Sequence, residues 1–332
     1  MDLPEGIPRR MTGYVANGSL NTLAVVLQQP EQLVLSRLDL CVPGDEDVIV
    51  DIEWSGISTG TERLLWAGRM PPFPGLGYPL VPGYESVGRV THVGARGGRQ
   101  IGERVFVPGA RCFGEVKGLF GGAAAKVVVP GARVTPIDER LGERGVLLAL
   151  AATAYHAIAA GGSESPDLIV GHGVLGRLMA RLAALRSEKA PVVWERNPNR
   201  IDGAMGYQVV HPDADPRRDY RAIYDVSGDS TLLDTLIARL APGGEIVLAG
   251  FYSETLAFAF PAAFMREARI RVAAEWRETD LAAVKELIES GRLNLGGLIT
   301  HRQAASDAPA AYRTAFCDPS CLKMILDWRA HS

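Results

Sequence analysis

Two short segments carry side chains able to handle a proton beside a bound substrate. In GISTGTE (56–62), Ser58, Thr59, Thr61 and Glu62 fall together at the end of a β-rich run. In VPGYESVG (81–88), Tyr84 and Glu85 occupy a corner whose backbone Pro82 and Gly83 restrict. A third candidate, His156, stands three residues after Thr153 in a helical run, so one helix face can carry both. Hydroxyls such as Ser58 and Tyr84 can hold an alcohol or carbonyl oxygen, and Glu85 can orient them. An imidazole, with a reference pKa near 6.5, suits proton transfer. A phenol near 10 is a poor base unless a positive charge lowers it. These residue types point to proton transfer at a bound substrate.

The sharpest motif is DLIVGHGVLG (167–176), in which Gly171, Gly173 and Gly176 form G-x-G-x-x-G. A β-rich run precedes it, and Leu175, Leu178, Met179, Leu182 and Leu185 follow at helical spacing. The first glycine makes the turn, the second admits a pyrophosphate, and the third lets helix pack on strand. The N–H groups at Val174 and Leu175 open the helix toward the anion. The next β-rich run ends at Glu195, nineteen residues after Gly176, where an acid suits a ribose 2′-hydroxyl. NAD is therefore expected over NADP, with Arg196 and Arg200 close enough to weigh against that preference. Ser227 with Gly228, and Gly250 with Phe251, end two further β-rich runs and are expected at the cofactor, since ligands bind beyond such strand ends. Thr153 is expected there too.

The elements that must position these groups change character along the chain. Residues 20 to 135 read as short strands, among them Leu23–Leu27, Leu33–Leu40, Asp47–Trp54, Ser86–Val93, Arg104–Val107 and Ala125–Val129, separated by Gly, Pro and Asp turns. A β-barrel-like domain is expected. Two long loops, 60–82 and 108–124, carry Trp66, Met70, Phe73, Tyr78, Phe113 and Phe120. With Trp276 these can line an apolar cleft, and Arg63, Arg69 or Arg111 can meet a carboxylate there. From residue 141, helical segments alternate with short strands, the pattern of βαβ units and a parallel sheet. A helix over Asp280–Ser290, a strand-like Gly297–His301, a helix over Ala308–Ala315 and a last element from Cys317 to Trp328 follow. Asp318–Pro319 is expected to cap and open that last element.

Composition narrows the classes. The chain has 332 residues, enough for two domains. It is 47% hydrophobic and 22% charged, an ordinary globular balance. A net charge of −3 with no basic block argues against nucleic-acid binding. The longest apolar run, Val146–Ala160, is too short to span a bilayer. The N-terminus has no signal-peptide pattern, so a cytoplasmic protein is expected. Cys41, Cys112, Cys317 and Cys321 form no CxxC and no zinc-finger spacing.

The whole pattern resembles the medium-chain dehydrogenase/reductases. The pieces that carry the likeness are GISTGTE (56–62), VPGYESVGRVTHVG (81–94), IGERVFV (101–107), ATAYHA (152–157), the glycine motif, LAPGGEIVLAGFY (240–252) and LITH (298–301). The resemblance implies an α/β chain: a GroES-like barrel catalytic domain over 1–148, completed by 277–332, and a doubly wound Rossmann NAD-binding domain over 149–276. It implies that Lys323 reaches a cofactor phosphate, and it favours a homodimer built on the Rossmann sheet edge. Zinc-dependent members have Cys where Ser58 stands, His where Tyr84 stands and a third Cys near Ala149. Hydroxyls are poor zinc ligands beside thiolate and imidazole, so no metal is expected. Residues 56–90 are similar to a zinc-free branch that oxidises the 3-(1-hydroxyethyl) group of a bacteriochlorophyllide to acetyl with NAD. A tetrapyrrole substrate follows from that likeness. A zinc-free quinone or enone reductase, or a non-catalytic NAD(H)-binding protein, remains the alternative.

Overall fold

The structure is a computed structural model that describes residues 20–72, 74–159 and 164–331. The first part holds β1 (Asn21–Gln29), β2 (Gln32–Asp39), β3 (Asp47–Ile57), α1 (Thr61–Trp66), β4 (Leu80–Val81), β5 (Ser86–Val93), β6 (Arg104–Val107), β7 (Lys117–Gly118), β8 (Lys126–Pro130) and β9 (Thr135–Pro136). The middle holds α2 (Leu148–Ala159), β10 (Leu168–Val170), α3 (Val174–Arg186), β11 (Val192–Trp194), β12 (Gln208–Val210), β13 (Tyr220–Asp225), α4 (Leu233–Ile237), β14 (Leu240–Leu248), α5 (Phe260–Met265) and β15 (Arg269–Val272). The chain ends with α6 (Glu278–Glu289), β16 (His301–Ala304), α7 (Ala308–Cys317) and β17 (Met324–Asp327).

The middle part is a parallel six-stranded sheet in the order β12-β11-β10-β13-β14-β15. Numbered within the sheet this is 3-2-1-4-5-6, the doubly wound arrangement, with its crevice where the order reverses at β10 and β13. The central strands are buried on both faces, which is why Leu168, Ile169 and Val170 form an unbroken apolar run.

The first part is β-rich, but no closed barrel forms among the described residues. A sheet β2-β1-β4-β7 packs beside a larger mixed sheet β16-β17-β3-β5-β6-β9, with β8 also on β3. Strand β3 is the axis: β5 covers one edge, while β8 and β17 share the other. Its register shifts after Ile49 and Ile52 locally kink and twist the strand. The last strand, β17, sets Met324 opposite Ile57 and Asp327 opposite Trp54. Trp328 then donates from its indole to Ser55 Oγ at 2.8 Å. The C-terminus therefore completes the sheet that carries Ser58.

Two local expectations fail. Asp318–Pro319 does not open a helix; α7 runs on to Cys317 and stops there, and Asp318 instead accepts from the Ser320 N–H at 2.8 Å. Pro directly after a helix is a stop signal as readily as a start. The strand expected over Gly297–His301 forms later, at His301–Ala304. Among the described residues, no helix is long and apolar enough to cross a membrane.

Candidate active site

Strand β3 ends at Ile57, and the chain turns directly into α1. Ser58, only 4% exposed, donates its N–H to Glu62 Oε1 at 3.0 Å, and Glu62 returns its own N–H to Ser58 O at 3.1 Å. This reciprocal pair fixes the turn. Opposite stands Tyr84, delivered by the Pro82–Gly83 corner. Gly83 has φ +97°, and a Cβ there would meet Ala123 N at 2.9 Å, so no other residue fits without strain. The result is a short bond, Ser58 Oγ to Tyr84 OH, at 2.6 Å, with Thr61 Oγ1 3.4 Å from the same phenol. The Tyr84 ring packs edge-on against Phe120, centroids 5.1 Å apart. Burial, and then the neighbouring Glu85 carboxylate, hold this phenol well above its ordinary value of 10.0. Tyr84 thus keeps its proton at neutral pH.

Glu85 does not reach Ser58 or Tyr84 by a hydrogen bond. It turns inward and pairs with Lys323 Nζ at 2.6 Å, both side chains almost wholly buried. Lys323 also donates to Ile57 O at 3.2 Å. Two of the three ammonium donors are thus spent on the sheet beneath the site, where the resemblance put the ammonium on a phosphate. Among the described residues, Glu85 Oε1 has no partner. Burial raises the Glu85 carboxyl, and Lys323 opposes that rise.

Glu62 and His156 are also placed otherwise than expected. Glu62 points into the core, where Oε2 accepts from Tyr312 OH at 2.7 Å. Burial raises it to about 7. His156 pairs through Nδ1 with Asp280 Oδ2 at 2.8 Å, joining α2 to the start of α6. Neither side chain lines the cleft. Glu62 instead holds the Ser58 backbone N–H, and His156 ties α2 to α6.

The glycine loop is built as its spacing suggests. A Cβ on Gly176 would meet Gly171 O at 1.9 Å, so the helix packs on the loop only with glycine there. A Cβ on Gly173 would meet nothing within 4 Å; that face of the loop is open to a ligand. Glu195 lies beside it, Oε2 accepting from His172 N–H at 3.0 Å and Oε1 from Asn197 N–H at 2.7 Å. A carboxylate has about four acceptor positions, so sites remain for a diol. His172, inside the loop, is fully buried and braces it. Its Nδ1–H donates to Arg200 O at 2.6 Å, which leaves Nε2 to accept from Tyr207 OH at 2.8 Å. Burial lowers its pKa to about 4, so it stays neutral.

One cleft of about 1920 Å³ runs between the two parts and takes in both constellations. It exceeds the ~300–1,000 Å³ of a pocket for one small ligand and has room for two molecules. Ser58, Thr59, Thr61 and Tyr84 line it, as do Thr153, the loop from Gly171 to Gly176, Glu195, Arg200, Ser227, Gly228, Gly250, Phe251 and Lys323. Arg196 is exposed and outside it. Of the loop aromatics and methionine, Met70 and Phe120 line the cleft, with Trp276. Trp66 stacks on Phe316, Tyr78 donates to Leu65 O, and Phe113 is core. Phe73 lies outside the described residues. Among the described residues, no three His, Cys, Asp or Glu side chains converge as a ligand set for a metal.

This architecture is that of a two-domain dehydrogenase. Residues 44–139 match the alcohol dehydrogenase GroES-like domain. A short chain alcohol dehydrogenase of Escherichia coli complexed with NADH superposes with TM-score 0.78 at 22% identity, covering 93% of this chain and 100% of that one. L-idonate 5-dehydrogenase from Escherichia coli gives 0.80 at 17%, over 93% and 99%. Two relatives are much nearer in sequence. A 2-desacetyl-2-hydroxyethyl bacteriochlorophyllide A dehydrogenase of Rhodobacter capsulatus is 56% identical, over 93% of this chain and 99% of its own. One of that description from Cereibacter sphaeroides is 55% identical, over 94% and 99%. The chain is an oxidoreductase that belongs to the medium-chain dehydrogenase/reductases, in the family of these two bacteriochlorophyllide dehydrogenases.

Proposed function

We propose that this protein oxidises the 3-(1-hydroxyethyl) side chain of a bacteriochlorophyllide to 3-acetyl, with NAD⁺ as acceptor and without a catalytic metal. The observation that carries the reading is the Ser58–Tyr84 hydroxyl pair, 2.6 Å apart, in the same large cleft as the glycine loop. The names of the two relatives supply the substrate.

A nicotinamide cofactor supplies the acceptor for the carbinol hydride. The glycine loop Gly171–Gly176 would hold its pyrophosphate and Glu195 its adenosine ribose, with Ser227, Gly228, Gly250 and Phe251 along its path. Arg200 lines the same end and donates through Nε to Pro319 O at 3.0 Å. Glu195 repels a 2′-phosphate, which supports NAD over NADP. Lys323 keeps one donor free for a cofactor phosphate.

The protein's own task is to hold the carbinol oxygen and remove its proton. Ser58 and Tyr84 each offer one donor and acceptor lone pairs. One hydroxyl takes the alcohol proton and keeps it hydrogen-bonded to the carbonyl oxygen that forms, while its own proton passes through the other hydroxyl to cleft water, so neither residue ends charged. Zinc would otherwise acidify the alcohol, and the hydroxyl donors at Ser58 and Tyr84 do not suit it. In functional terms the division is 1–148 with 277–332, and 149–276, supported by which strands share a sheet.

The α5 residues Phe260, Phe264 and Met265 and the edge strand β15 with Val272 lie exposed at the end of the Rossmann sheet. A second copy paired on this edge is the partner that surface supports. A cytoplasmic location is part of the same proposal.

The test is to mix the protein with the 3-(1-hydroxyethyl) pigment and either NAD⁺ or NADP⁺. A red-shifted absorption from the conjugated acetyl group, faster with NAD⁺, is expected. No change with either cofactor overturns the reading.

A further inference from the structure

The wall that the first domain contributes to the cleft has an unbalanced charge. Its lining residues from segment 58–136 include Arg63, Arg69, Arg99 and Arg133 and no aspartate or glutamate, whereas the C-terminal segment adds Glu278 and Asp318. The two acids nearest the hydroxyl pair, Glu62 and Glu85, are turned into the core and bonded to Tyr312 and Lys323. Every acid that lines the cleft comes from residue 195 onward.

Two of these arginines are tied to the reactive segment. Arg63 lies on α1, two residues beyond Thr61. The helix ends at Trp66, the chain reverses at Gly68 with φ +66°, and the backbone N–H groups of Arg69 and Met70 both fold back onto Leu64 O, at 2.9 and 3.2 Å. That reversal brings Arg69 beside the turn that carries Arg63. The segment is anchored from behind by Tyr78 OH on Leu65 O and by Glu31 N–H on Trp66 O. Among the described residues, neither guanidinium has an acidic partner or a hydrogen-bond acceptor. Both are exposed to the cleft, beside the apolar Leu64, Met70 and Phe120.

Resting on the function proposed above, we infer that Arg63 and Arg69 form a carboxylate clamp for the propionate of the macrocycle. The apolar face takes the ring, and the guanidinium forks take the acid. The clamp makes the free carboxylate the preferred form of the substrate over its ester.

The test compares the hydroxyethyl pigment as free acid with its propionate methyl ester, using the full chain and NAD⁺. Wild type is expected to show a KM for the acid roughly tenfold below that for the ester, at similar kcat. Exposed charge pairs are individually weak, so Arg63→Gln or Arg69→Gln alone raises KM for the acid a few-fold. The double variant removes the preference and leaves kcat in place, as lost uniform binding does. Arg133→Gln keeps the preference. If the double variant melts early, Arg63→Lys with Arg69→Lys retains charge without the fork and is expected to keep part of the preference. Equal use of acid and ester by wild type, or equal losses on both in the variants, overturns the clamp alone. Failure of wild type to oxidise either pigment overturns the proposed function, and the clamp falls with it.

Discussion

Tyr84→Phe is the most exacting substitution the site allows. Phenylalanine keeps the ring and its edge-on contact with Phe120 at 5.1 Å. It removes only the oxygen that lies 2.6 Å from Ser58 Oγ and 3.4 Å from Thr61 Oγ1. One neutral hydrogen bond lost in a buried setting costs about 1 kcal/mol of stability, which leaves the chain folded. Losing a preorganised donor at a forming carbonyl costs about 10²-fold in kcat, or about 2.7 kcal/mol at ~1.36 kcal/mol per decade. The two effects therefore separate. Ser58→Ala is expected to cost about as much, and the double variant little more than either single, because one deletion already breaks the pair. Single-turnover stopped flow at saturating NAD⁺ and pigment, following the acetyl absorption, isolates the chemical step. Melting curves of each variant check the fold. A Tyr84→Phe kcat within about threefold of wild type would refute the reasoning and favour chemistry that needs no hydroxyl relay.

The buried Glu85–Lys323 pair predicts an asymmetric result. Lys323→Met leaves a buried carboxylate without its cation and is expected to cost about 3–5 kcal/mol in urea unfolding, while Glu85→Gln with Lys323→Met recovers most of it; a loss below about 1 kcal/mol contradicts the pairing. His172 is held neutral, its pKa lowered from 6.5 to about 4. A depressed pKa gives stability that is present above 6.5 and lost as pH falls toward 4, at most about 3 kcal/mol. Urea titrations at pH 7 and pH 4.5 are expected to show a smaller acid loss in His172→Phe than in wild type, and equal losses would contradict it. Light scattering is expected to give twice the chain mass of 35.6 kDa, with Phe260→Ser and Phe264→Ser shifting the protein toward monomer; a wild-type monomer would leave the exposed α5–β15 edge unexplained.

What could be read from residue order was whatever depends on local spacing. The glycine loop, the helix behind it and Glu195 are set by contacts within about thirty residues, and each stands where its spacing put it. Tyr84 and Ser58 were legible as hydroxyls on two punctuated turns, and their meeting follows from β3 and β5 being neighbours. What residue order does not carry is facing and distance. His156 and Glu62 sit near reactive groups in sequence, but their helix faces look toward Asp280 and Tyr312, 124 and 250 positions away. Nothing local announces the Glu85–Lys323 pair, which spans 238 positions and forms because β17 returns to β3. The three-residue strand β12 and the four-residue β15 and β16 are too short to show a periodicity. Tyr207, which donates to His172 Nε2, lies in a loop with no motif around it.

The central claim is that hydroxyl side chains serve where a metal ion acts in related dehydrogenases. Its most direct test is turnover of the 3-(1-hydroxyethyl) pigment by protein dialysed against a strong chelator, with bound metal measured on the same sample. Full turnover with zinc far below one per chain is the predicted result. Activity that disappears with the metal, and returns in proportion to added zinc, would contradict the account.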